Sequence, residues 1–310
     1  MSVRRRDATP VRSSGRFVEL LPLLVHIQAH LEDDLDLTTL ARHAGHSPSH
    51  LHRVFSAAVG ETPRQYVSRL RLERAAFRLL VHDASILSIA LDCGFDRHET
   101  FTRAFRRRFH RTPSEYRTWA QRHVIARAAV DRSPPQRSSP AREPAHPDAF
   151  ALSTTTVRRL RPVHLAFVRH LGPYEAVPDT IFEALERWAT RVRLRGPRIW
   201  MGIGHDAPLT TRASQRRFDA ALVVPAPFAS DGRVAYQALP GGDFAVTTHA
   251  GSFDTLPAAY ATIFPRVTTL RGFDLVGLPA VEIYHASAIR TRDRLPHTDI
   301  CLPVRRRGVR

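Results

Sequence analysis

Residues 97–122 carry eight arginines against two acids. Threaded among them are Phe101, Phe105 and Phe109, an apolar row that recurs every four residues. That period is the buried stripe of an amphipathic helix, so Arg97, Arg103, Arg106, Arg107, Arg108 and Arg111 project from the other faces. A planar guanidinium matches phosphate oxygens and the O6/N7 edge of guanine, so this density of forks calls for an anionic partner. A plain solvated face is the competing reading of the same residues. A second candidate is Glu282, set between apolar strand neighbours in "AVEIY". A carboxylate buried there is costly unless a cation pairs with it. The alternative is that Glu282 ends an exposed strand.

Other residue types argue against further chemistries. His26 and His30 share a helical face, and His43, His46, His50 and His52 cluster, but no carboxylate or cysteine completes a metal set. Cys93 and Cys301 stand far apart, with neither zinc spacing nor a disulfide framework. Cys93 beside Gly94 is expected to pack beneath a turn. No metal and no cofactor are expected.

The elements that must position these residues repeat. "LHRVFSAAVGETPRQY" (51–66) aligns with "FTRAFRRRFHRTPSEY" (101–116), matching Leu51 to Phe101, Phe55 to Phe105, Pro63 to Pro113 and Tyr66 to Tyr116. Upstream, "LTTLARHAG" (37–45) parallels "ILSIALDCG" (86–94). Asp36 and Ser85 are suited to N-caps, and Gly45 and Gly94 to the positions just past a helix end. Each unit reads as helix, glycine turn, helix, then Thr-Pro: a helix-turn-helix, twice. The stretch 63–83, with Pro63 in its first turn, is a helix joining the two units.

A stretch rich in proline and serine, 131–150, separates this helical half from a mixed one and argues against a rigid relay between them. In the second half "HLGPYE" (170–175) matches "HAGSFD" (249–254), each opening a strand–helix–strand–strand unit. The sequence predicts an all-α domain followed by a duplicated β-α-β-β domain. The expected layout is a basic arm over 1–16, a double helix-turn-helix domain over 17–123, a linker over 124–150 and an α+β domain over 151–310.

The formal net charge is +17, and every one of the 46 basic residues is arginine. This balance favours a polyanion, nucleic acid first, although the uniform use of arginine also fits a GC-rich genome. No signal peptide or membrane span is read, so a cytoplasmic protein is expected.

The stretch "ALDCGFDRHETFTRAFRRRFHRTPSEYR" resembles the signature of the AraC/XylS family of bacterial transcription regulators, and the resemblance covers about 17–122. It departs at His110, where the family has glycine and where the first repeat keeps Gly60. The resemblance implies that Ser49, His52 and Arg53 of the first unit face double-stranded DNA, with His98, Glu99, Thr100 and Arg103 of the second. Arg106, Arg107 and Arg108 then meet phosphates, past the reading end of the helix. Glu99 either accepts from cytosine N4 or pairs with Arg103 one turn on.

"HLGPYEAVPDTIFEALERWA", "RRFDAALVV" and "TDICLPV" are similar to GyrI-like effector-binding domains, over about 153–305. That likeness implies a small-molecule effector, of the cationic amphipathic kind some relatives bind. Glu282 would be its contact, and Tyr174, Trp200, Phe253 and Tyr284 walls able to stack on a cation. The resemblance as a whole implies a ligand-controlled regulator, not an enzyme, acting on promoter DNA and engaging RNA polymerase, as monomer or homodimer. Two other classes stay open: a C-terminal hydrolase of small electrophilic compounds, with Glu282 and Tyr174 activating water, and a nucleoid-associated protein indifferent to sequence.

Overall fold

Two Thr-Pro steps set the frame of the N-terminal half. In each, the threonine hydroxyl accepts from the backbone three residues on, and the side chain there returns to the threonine N–H: Thr62 with Gln65, and Thr112 with Glu115. These reciprocal capping boxes, with proline at the first helical position, start helices sharply. The computed structural model describes residues 15–122, 150–230, 232–277, 279–285 and 296–308. The basic arm and the proline-rich linker fall almost wholly outside them.

The described helices of this half are α1 (Gly15–Glu19), α2 (Leu21–Ala29), α3 (Leu37–His43), α4 (Pro48–Val59), α5 (Pro63–Val81), α6 (Ile86–Asp92), α7 (His98–Phe109) and α8 (Pro113–Ala120). Asp36 caps α3 through the Thr39 N–H at 2.6 Å, and Ser85 caps α6 through Ser88. Gly45 and Gly94 have φ of 67° and 80°, the left-handed region that glycine enters without strain. Gly94 also lies against the Leu31 carbonyl and the Arg71 guanidinium, where a Cβ has no room. The paired modules α3–α4 and α6–α7 flank the 19-residue α5. Leu51 and Phe55 in the first, and Phe101 and Phe105 in the second, are fully buried. Cys93 is buried beneath its turn, and burial pushes its thiol up to about 11.

The C-terminal half is one ten-stranded antiparallel sheet. Its main path runs through β1 (Ala151–Leu152), β7 (Gly242–Ala250), β10 (His297–Arg306), β9 (Ala280–Tyr284), β4 (Trp200–Gly204), β5 (Arg217–Val224), β3 (Val163–Leu171) and β6 (Ala235–Leu239). The short β2 (Thr156–Leu160) pairs with β7, and β8 (Phe273–Leu275) with β10. Helix α9 (Thr180–Arg191) follows β3, and α10 (Leu256–Thr268) follows β7. The duplication is therefore visible in the order: β4-β5-β3 on one side, β9-β10-β7 on the other, joined where β4 meets β9.

Both helices cover one face. α9 packs on Ala166, Ala220 and Leu222, and α10 on Ala245, Ile300 and Leu302. The other face does not meet water. Leu165, Phe167, Met201, Ile203 and Val281 share a continuous core with Phe17, Leu21, Leu24 and Ile27 of the helical half. Central strands consequently carry buried residues on both sides, as β5 does along most of its length. The composition of the linker argues against a rigid relay, and among the described residues the two halves nonetheless share a packed core. The α5 side chain Phe77 meets Phe264 of α10 edge to face at 5.9 Å.

Candidate nucleic-acid interface and effector cleft

α4 and α7 present matching faces because the same side-chain rows are buried in each. Ser49, His52 and Arg53 are exposed on α4, and His98, Glu99, Thr100, Arg103 and Arg107 on α7. Arg53 lies with Nη2 3.3 Å from His50 Nδ1. His98, Glu99, Arg103, Arg106 and Arg107 line one open concavity of about 600 Å³. Among the described residues, Glu99 forms no ion pair with Arg103. At the start of α7, Arg97 occupies the N-cap that Ser47 fills on α4, and no side-chain bond closes the α7 terminus. An uncapped end of this kind costs about 1 kcal/mol, and it leaves amide donors and a guanidinium together at an exposed helix start. His110 adopts φ 58° at the exit of α7, where Gly60 has φ 83° at the exit of α4. The left-handed exit is thus kept despite the side chain.

Arg108 departs from the expectation that it meets phosphate. Its Nη2 donates to Glu73 Oε1 at 2.7 Å and to Gln215 Oε1 at 3.3 Å. Glu73 also accepts from Arg69, which grips Glu61, and Gln215 donates to Glu61 at 2.7 Å. The reason is helical geometry: Arg108 falls on the flank of α7 that faces α5 and the sheet domain, while Arg103 and Arg107 point outward.

A second polar cluster joins the domains. Arg169 donates through Nε and Nη2 to both oxygens of Asp219, each at 2.7 Å, and its Nη2 also reaches Gln28 of α2. Both members of the pair are fully buried. Burial pushes the Asp219 carboxyl up, but the adjacent guanidinium outweighs it and holds that carboxyl well below the usual range. Sequence reasoning missed these residues. The available signal was an acid and an arginine inside strands otherwise apolar, which in a doubly covered sheet must be paired.

On the helix-covered face, register gathers the expected effector residues. Glu282 is cross-strand from Gly202, and Tyr284 from Trp200. Glu282 is 8% exposed, and both its oxygens accept from tyrosines: Oε1 from Tyr260 at 2.9 Å, Oε2 from Tyr284 at 2.6 Å. Burial pushes the Glu282 carboxyl up, an effect the two hydroxyls only partly offset. Phe253, 45% exposed, stands edge-on to Tyr284 at 5.5 Å, and Phe182 meets both Trp200 and Tyr284. Tyr174 sits at the margin. Its ring packs on Phe218, and its hydroxyl exchanges hydrogen bonds with the Asp206 backbone. Gly202 makes room for the site, since a Cβ there would strike the Tyr284 hydroxyl, Phe218 and Glu282. Tyr260, Phe182 and Gly202 were not identified from sequence. Tyr260 sits on α10, far from Glu282 in the chain, and nothing local marks it.

The sheet domain frames a buried carboxyl with hydroxyls and aromatic rings, and two helix-turn-helix modules, the second rich in exposed arginines, are chemistry for a polyanion. Together they define a two-domain, ligand-binding nucleic-acid-binding class of protein. Residues 40–118 match the helix-turn-helix domain family, and residues 153–305 match the GyrI-like small molecule binding domain family. The chain is 37% identical over 95 residues to the regulatory protein SoxS of Escherichia coli, covering 31% of this chain and 89% of that one. It is 40% identical over 95 residues to the transcriptional regulator Rob of Salmonella typhimurium, and spans about a third of that protein's length (33%). Among solved structures, the C-terminal domain of EcmrR is similar at 17% identity and a TM-score of 0.41, over 49% of this chain and 98% of that one. The chain belongs to the AraC/XylS family of transcription regulators, with a GyrI-like domain at its C-terminal side.

Proposed function

We propose that the protein is a sequence-specific DNA-binding transcription regulator controlled by a small cationic amphipathic ligand bound beside Glu282. The observation that carries the DNA reading is the matched pair of helices. Leu51/Phe55 and Phe101/Phe105 bury one face of each, leaving Ser49, His52, Arg53 and His98, Glu99, Thr100, Arg103 exposed on the other. The two faces serve as reading heads for one DNA site, with Arg107 on a phosphate. Arg53→Ala weakens binding to the cognate site by about 1–3 kcal/mol in a titration at fixed salt. Unchanged binding overturns the assignment.

The ligand reading rests on Glu282. A cation entering between Trp200, Phe253 and Tyr284 would take over the carboxylate from the tyrosine hydroxyls and stack on aromatic faces. Sensing is favoured over hydrolysis because each Glu282 oxygen already accepts from a phenol, Tyr260 or Tyr284, which holds the carboxyl in place rather than aligning it to draw a proton from water. Binding of a quaternary ammonium probe without turnover, lost in Glu282→Gln, is the expected result. Turnover of esters lost in the same variant would favour the hydrolase. Ligand and DNA are linked only if the ligand prefers one of two domain arrangements, and the packed interface supplies contacts that could differ between them. RNA polymerase is proposed as the third partner.

A further inference from the structure

Five side chains close a ring where both helix-turn-helix units meet the sheet domain. Glu61, two residues past α4, accepts from Arg69 Nε at 2.9 Å. Arg69 Nη1 donates to Glu73 Oε2 at 3.1 Å, and Arg108, in the last turn of α7, donates to Glu73 Oε1 at 2.7 Å. Gln215, on the short turn Ala213–Gln215 of the sheet domain, closes the ring. Its Oε1 accepts from Arg108 at 3.3 Å, and its Nε2 donates to Glu61 at 2.7 Å.

The seat of Gln215 has a particular chemistry. It must donate to a carboxylate on one side and accept from a guanidinium on the other, and a carboxamide does both at once. A carboxylate there would face Glu61, and a cation would face Arg108. The duplication does not explain the arrangement, since Ala58 stands at the repeat position of Arg108 and Arg111 at that of Glu61.

The ring also braces a joint. Leu51 and Phe55 pack with Tyr66, Val67 and Leu70 of α5, whereas Phe101 and Phe105 pack in a separate core with Leu72, Ala75 and Leu79. The two units thus hang on one helix, and Gln215 ties the exit of α4 to the end of α7 from outside it.

We propose that Gln215 is a positioning residue for DNA recognition, fixing the separation and angle of α4 and α7 and so the half-site spacing the protein accepts. This rests on the reading of α4 and α7 as two heads on one DNA site. One inserted base pair separates the half-sites by about 3.4 Å and turns one against the other by about 34°. Braced heads do not follow such a change; unbraced heads follow it in part.

The full-length wild type first selects its site from a random duplex pool, and hydroxyl-radical footprinting marks the half-sites. Binding is then titrated at fixed salt on that duplex and on duplexes with one base pair inserted or deleted between the half-sites. The wild type is expected to lose roughly tenfold or more on the altered spacings, as when one head forfeits a base contact. Gln215→Leu removes the amide, and Gln215→Glu sets a carboxylate against Glu61; each is expected to lose only about threefold. Gln215 is half-buried on a surface turn, and if one variant fails to fold the other carries the test. General loosening weakens all duplexes alike, so the ratio between duplexes reports positioning. Equal ratios in wild type and folded variants, or a wild type indifferent to spacing, overturn this inference and leave the two-head reading standing. A wild-type footprint confined to one half-site overturns both.

Discussion

Arg103 and Arg108 lie on the same helix and are identical in type, yet the structure gives them opposite tasks. Arg103 is exposed in the α7 concavity, whereas Arg108 is 17% exposed and bound to Glu73, which is 5% exposed. Replacing each with alanine separates recognition from architecture. Arg103→Ala removes one potential bidentate base contact, worth about 1–3 kcal/mol, so affinity for the cognate site falls roughly 5- to 150-fold. It touches nothing buried, so stability stays within about 0.5 kcal/mol. Arg108→Ala leaves Glu73 Oε1 without its 2.7 Å donor, while Oε2 keeps Arg69. A buried acceptor left unmade costs about 1–3 kcal/mol. That loss appears as a lower midpoint in urea unfolding followed by circular dichroism, with DNA affinity changed less than in Arg103→Ala. If Arg108→Ala keeps wild-type stability and loses DNA binding as severely as Arg103→Ala, the division of labour on α7 is wrong.

Three further outcomes follow from the same geometry. Glu282, its carboxyl raised by burial, favours the neutral form when folded, so its contribution to stability is full below the ordinary carboxylate range and is lost as pH rises through the raised value. Glu282→Gln should therefore stabilise the ligand-free protein more at pH 8 than at pH 4 in parallel melts, and cation binding by the wild type should release protons and strengthen with rising pH in calorimetry across that window. His110→Gly relieves a side chain in the left-handed region and should stabilise the protein by about 1 kcal/mol in urea unfolding, without altering DNA affinity. Gly202→Ala places a methyl group against the Tyr284 hydroxyl, Phe218 and Glu282; it should weaken binding of a quaternary ammonium probe severalfold in fluorescence titration while leaving DNA affinity in the absence of ligand unchanged.

The comparison of sequence with structure divides along the range of the interactions. The helical half was legible because its signals are local. Asp36, Ser85, Thr62 and Thr112 act on backbone three residues away, Gly45 and Gly94 on their own φ, and the Phe101–Phe105 row on a single helical period. The grouping of Glu282, Tyr284 and Trp200 came from the GyrI-like resemblance alone; in the structure, alternation along β9 sets Glu282 and Tyr284 on one face and the pairing of β4 with β9 sets Trp200 opposite Tyr284. Tyr260 was not legible, because its approach to Glu282 depends on how α10 lies across the sheet.

What the sequence by itself determined is therefore the set of modules: two helix-turn-helix units and a duplicated β-α-β-β sheet, each specified by caps, turns and periodicity acting over a few residues. Only the tertiary structure decided that the second sheet face is covered by the helical half, because burying Leu165, Phe167 and Met201 against Leu21 and Leu24 is a contact between segments more than a hundred residues apart. That packing turns Arg169 and Asp219 from strand residues into a buried ion pair and Arg108 from a phosphate contact into a domain clasp. Burial makes an unpaired charge costly, and which charge is buried is a property of the assembled surfaces rather than of any short stretch of chain.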